Sequence, residues 1–87
     1  MMQITPYEVK TYLQLIKDEN PIHNHIVPGQ MIVQIVFAKL KLNWSAYKIK
    51  YIESVEVNEF IHFEYIENEK VIVSDLDKRV KIHILKN

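Results

Sequence analysis

Lys39, Lys41, Lys48 and Lys50 stand within twelve residues of one another with no acid among them. Ammonium groups gathered on one surface can hold carboxylates or phosphates. Trp44 lies between the two lysine pairs. An exposed indole there could anchor a protein interface or stack on a base. Downstream the charge reverses. Glu53, Glu56, Glu59, Glu64, Glu67 and Glu69 follow with no Lys or Arg between them. The formal net charge is zero, so the total conceals a basic stretch followed by an acidic one.

Other reactive side chains fall in weaker patterns. His23 and His25 are two apart, and His62 and His83 lie far along the chain. Imidazoles bind zinc, but this pair lacks the i, i+4 spacing of a helical site and a third ligand. We therefore expect a polar loop and no metal. Glu64 with Glu67, and Asp75 with Asp77, are paired carboxylates at expected turns or outward positions. Acid–base catalysis needs a cleft and shifted pKa values. Ser45 and Lys48 have an S-x-x-K spacing without partner motifs. One glycine excludes a glycine-rich phosphate loop, and the absence of cysteine excludes disulfides, thiolate metal sites and cysteine nucleophiles. No enzyme activity and no cofactor are expected.

The elements that must position these groups begin with a well-signalled helix. In "ITPYEVKTYLQLIK", Thr5 is an N-cap, Pro6 occupies the first helical position and Glu8 completes a capping box. Ile4 and Val9 are spaced for a hydrophobic staple. Val9, Tyr12, Leu13 and Ile16 make one apolar face. The helix is expected over about 6–18. A loop follows over 20–29, with two prolines and the glycine.

From Met31 onward, Ile32, Val33, Ile35 and Val36 favour a strand. Ala38, Leu40 and Leu42 then alternate with Lys39 and Lys41, and Tyr47, Ile49 and Tyr51 alternate with Lys48 and Lys50. A hairpin around Asn43–Ala46 would put all the apolar residues on one face, with Lys41 opposite Lys48 and Lys39 opposite Lys50. Turns near Asn58–Phe60 and Asn68–Lys70, and another at "SDLDKR", would complete the sheet. In that register Tyr65 pairs with Val73, and Glu53 falls on the apolar side unless a bulge intervenes.

The expected fold is α+β. A single domain of 87 residues carries an N-terminal helix and a roughly five-stranded antiparallel meander over 30–85. The sheet would either stay open or curl into a small SH3-like or Sm-like barrel. A winged helix–turn–helix is the alternative, with two helices around "LNWS" and the "EFIHFEYIENEKVIVS" hairpin as its wing.

The N-terminus has no basic region followed by an apolar core, so no signal peptide is expected. No apolar run approaches a membrane span. Together with the missing cysteines, this leads to an expected cytoplasmic location and no membrane partner. The expected function is a non-catalytic protein-binding module: a small regulator, inhibitor or assembly subunit. Trp44, Lys39, Lys41, Lys48 and Lys50 would form its surface, with Glu56 and Glu64 as the complementary acidic end. Its partner would be another protein or a second copy in a homodimer. Nucleic-acid binding is the alternative.

Overall fold

All the start signals of the first helix are met. In the computed structural model, which describes residues 2–17 and 25–87, helix α1 runs Pro6–Ile16. The Thr5 hydroxyl accepts the Glu8 N–H, and the Glu8 carboxylate accepts the Thr5 N–H. Ile4 and Val9, the two staple residues, are both buried. Lys17 caps the helix in the left-handed conformation, and the last helical residue, Ile16, comes two residues earlier than expected. The first half of the expected 20–29 loop, with His23, lies outside the described residues.

The segment expected as the first long strand is instead helix α2, Gly29–Leu40. Met31, Ile32, Val33 and Val36 are buried, and Ile35, Phe37 and Leu40 are partly buried. With so much of its surface packed against the core, the β-branched run serves a helix as well as a strand, because tertiary burial outweighs a propensity of a few tenths of a kcal/mol, roughly, per residue. The exposed residues Gln30, Gln34, Ala38 and Lys41 recur every three or four positions and mark a helical polar stripe. The hairpin over 38–51 therefore does not form. The winged-helix alternative shares this helix, but its second helix is absent. Residues 47–51 are extended.

The remaining elements are β1 (Met2–Gln3), β2 (Tyr47–Tyr51), β3 (Phe60–Ile66), β4 (Lys70–Asp75) and β5 (Val80–Lys86). They form one antiparallel sheet in the order β1-β3-β4-β5-β2. The sheet is open and does not close into a barrel. An α+β fold with a five-stranded antiparallel sheet is thus what the chain adopts.

Strand β2 does not pair with the chain that precedes it. It lies beside β5, with Ile49 opposite Ile84. The β3–β4 hairpin turns at Glu67–Glu69, and Tyr65 faces Val71, two residues from the expected partner. A shift of two keeps every side chain on its face. The expected turn at Asn58 does not join two strands. Residues 52–59 are irregular, and Val27 N–H and Val57 N–H bond to the Val55 and His25 carbonyls across the Ile26–Glu56 bridge.

Both helices pack against one face of the sheet. Ile61, Val71, Val73, Ile82 and Ile84 meet Val9, Met31, Ile32, Val33 and Val36 in a single core. Among the described residues, nothing covers the opposite face. No described helix is long and apolar enough to cross a membrane.

Candidate interaction surface

Alternation along β2 sends Tyr47, Ile49 and Tyr51 toward the helices and Lys48 and Lys50 to the open face. Both lysines are exposed. The register places them in lateral rows. Lys50 lies opposite His83, His83 opposite Ile72, and Ile72 opposite Glu64. In the adjacent row Lys48 is followed by Leu85, Lys70 and Ile66. The open face is therefore polarised across the strands, basic at β2 and acidic at β3. Three strand spacings separate Lys50 from Glu64, roughly 14 Å.

This differs from the expected patch. Lys39 and Lys41 do not face Lys50 and Lys48. Lys39 lies in the last turn of α2, where a cation complements the helix dipole. Lys41 is the C-cap, at φ 55°. Glu56 is off the sheet, on the irregular segment, where its N–H donates to the Glu59 carboxylate. Of the expected site residues, the structure brings Lys48, Lys50 and Glu64 onto one face and leaves Lys39, Lys41, Glu56 and Trp44 elsewhere.

Trp44 folds back over the end of the sheet. Its ring meets Phe37 edge-on with centroids 5.6 Å apart, and Tyr65 at 6.1 Å. Phe37 also contacts Tyr47 at 4.8 Å. These rings join α2, the 41–46 connection and strands β2 and β3 in one aromatic cluster, and each such contact adds about 1 kcal/mol to simple burial.

Strand β2 is an edge. Among the described residues only β5 pairs with it, so its other side presents unpaired backbone N–H and C=O groups. At its C-terminal end lies a cleft of about 290 Å³, lined by Val27, Gly29, Ile32, Tyr51, Ile52 and Val55 among others. Partial burial pushes the Tyr51 hydroxyl up from its usual pKa, and the nearby Tyr47 and Tyr12 phenols add to this. Gly29 lets the helix start against the Tyr51 ring. A β-carbon there would overlap Tyr51 Cε1.

A second cluster was not foreseen. Strand β5 carries a bulge where Ser74 pairs with Val80 and Val73 with Ile82. The extra residue, Lys81, is turned into the end of the core and buried. Its ammonium lies 3.3 Å from Glu53, 3.5 Å from Glu59 and 3.9 Å from Asp75. Arg79 bridges Asp75 at 3.5 Å and Glu53 at 3.8 Å. Asp75 accepts the N–H groups of Asp77 and Arg79 and so organises its own turn. The salt bridges among the described residues all belong to this cluster and leave Lys48 and Lys50 out.

No group of three or more metal-ligating side chains occurs among the described residues. No protein-family model matches the chain. No curated protein matches it either.

Proposed function

We propose that the protein is a non-catalytic protein-binding module, a small regulator, inhibitor or assembly subunit, whose docking element is the open basic edge of β2. The observation that carries this reading is the edge itself: a five-residue strand with no partner on its outer side among the described residues, where alternate residues turn their N–H and C=O outward, with two lysines on one face and Ile49 and Tyr51 on the other. An extended segment of a partner adds there as a further strand. Backbone hydrogen bonds supply affinity, and alternating side chains supply selectivity. Edge lysines discourage indiscriminate pairing. The same charges favour a segment carrying carboxylates at alternate positions, because opposite charges across a strand pair attract and like charges repel. The cleft beside Tyr51 adds an apolar recess at the end of the added strand.

Nucleic acid is the second reading, since Lys48, Lys50 and Lys70 share the open face. It is the weaker one. The rings of Trp44, Tyr47 and Tyr51 do not lie on that face, so charge and stacking surfaces do not coincide.

Fluorescence anisotropy with a labelled peptide of alternating glutamate and apolar residues tests the proposal beside a labelled oligonucleotide. The peptide should bind the native chain and not the Lys48→Glu/Lys50→Glu variant. Tighter, steeply salt-dependent oligonucleotide binding would transfer the surface to nucleic acid.

A further inference from the structure

We infer that the acidic strand received by β2 is β3 of a second copy of this chain, so that the protein extends its own sheet head to tail. This rests on the strand-addition reading and names its partner.

The sheet has two open edges, and they match in length. Strand β2 offers the five residues Tyr47–Tyr51. In β3, Phe60 and Ile61 pair with β1, while the five residues from His62 to Ile66 have no neighbour on that side among the described residues. The edges are opposite in charge. Lys48 and Lys50 mark β2; Glu64 marks β3, with Glu67 and Glu69 in the turn that follows.

Direction and face also agree. From β3 through β4 and β5 to β2 the strands alternate in direction. The next antiparallel strand beyond β2 therefore runs the same way as β3. A second copy in the same orientation supplies it with its helices on the same side of the sheet. One register aligns four residues of each edge, Lys50 opposite Glu64, Ile49 opposite Tyr65, Tyr51 opposite Phe63 and Lys48 opposite Ile66, and brings Tyr47 to Glu67 in the turn. In this register Glu64 is directly across from one lysine and diagonal to the other. On the helix side the pairing covers Tyr51, 53% exposed, and Tyr65, 38% exposed. A two-fold pairing of β2 with itself about Ile49 would instead set Lys48 against Lys50 twice. The contact is therefore heterologous, and a pair of copies leaves one β3 edge free at one end and one β2 edge free at the other.

Sedimentation of the purified chain over a concentration series tests this. The mean mass should rise with concentration and not stop at the dimer. Lys50→Glu alone and Glu64→Lys alone should each weaken association at least about tenfold, because like charges then face each other across the junction. An equimolar mixture of the two variants should associate again, since each junction between unlike variants pairs opposite charges. Lys48→Glu is a second basic-side variant with a smaller expected defect, since Lys48 is diagonal to Glu64. Circular dichroism confirms that these exposed substitutions leave the fold intact. A wild-type chain that stays monomeric at millimolar concentration overturns the inference. So does a dimer that persists in Glu64→Lys, or a mixture that stays monomeric. A monomer that still binds the acidic peptide removes only the second copy as partner; one that binds neither removes strand addition as well.

Discussion

The Lys81 ammonium donates to the Ser54 carbonyl at 3.1 Å, which ties the β5 bulge to the irregular segment after β2. The Ile52 and Glu53 N–H groups return bonds to the Lys81 carbonyl at 2.8 and 3.2 Å. One residue thus fixes where β2 ends. Replacing Lys81 by Met keeps the stem and deletes the charge, leaving Asp75 and the Ser54 carbonyl short of a partner. Such a loss costs about 1–3 kcal/mol. Urea unfolding should show a lower midpoint for Lys81→Met. Exposed Lys50→Met serves as the control and should leave the midpoint nearly unchanged. Equal midpoints for the two variants would mean that the cluster adds no stability.

Asp75 gives the fold an acid-sensitive corner. The Arg79 N–H at 2.9 Å is the chief reason its carboxyl is held below the usual carboxylate range. The Asp77 N–H, the Arg79 guanidinium and Lys81 act in the same direction, while burial opposes them. A carboxyl with a lowered folded pKa stabilises the fold above its unfolded value, about 3.9. That contribution disappears as pH falls through the folded value. Urea midpoints from neutral pH down into the acid range should therefore fall less steeply for Asp75→Asn than for the wild type. Parallel curves would show that the carboxyl is not linked to folding.

The end of α2 carries a different kind of strain. Lys41 sits at φ 55° and ψ 43°, and its N–H bonds back to the last turn. A β-carbon in this conformation costs about 1–2 kcal/mol, which glycine avoids. Glycine gives back part of that advantage, because it has more freedom to lose from the unfolded chain. Lys41→Gly should consequently be more stable than Lys41→Ala by about 1 kcal/mol. Thermal or urea unfolding of the pair checks this, and equal stability would contradict the left-handed cap.

How much of this was legible depends on how local each cause is. The start of α1 is written in five consecutive residues, Ile4 to Glu8, and each signal acts within one turn. The β3–β4 hairpin was legible in its faces but two residues off in register, because Glu67 and Asn68 both take positive φ without glycine. Helix α2 was misread because Ile32, Val33, Ile35 and Val36 have strong strand preferences that packing against the core overrides. Its true mark was the quieter spacing of Gln30, Gln34, Ala38 and Lys41. The partner of β2 could not be read at all. Tyr51 pairs with Ile82, far along the chain, and an adjacent-hairpin argument sees only neighbours. Val80, Ile82 and Ile84 alternate with Lys81 and His83, a pattern that places Lys81 outward and carries no mark of a bulge. The lysine surface survived in half: Lys48 and Lys50 stay together because they share a strand, whereas Lys39 and Lys41 belong to a helix end.

Trp44 separates a structural role from a docking role. Its ring packs between Phe37 and Tyr65, and it is only partly exposed. A fully buried tryptophan costs about 3–5 kcal/mol when cut to alanine. A partly buried one at the sheet end should cost about 2 kcal/mol, and Trp44→Phe should recover much of it by keeping an aromatic edge against Phe37. The tryptophan emission of the native chain should shift to the red on unfolding, which gives the readout for the wild type; circular dichroism serves for the variants. If Trp44 caps the sheet, the folded Trp44→Ala variant should bind the acidic peptide as well as the wild type does. A variant of unchanged stability that no longer binds would instead make the indole the docking anchor, and the surface would then extend from the β2 edge around to the end of the sheet.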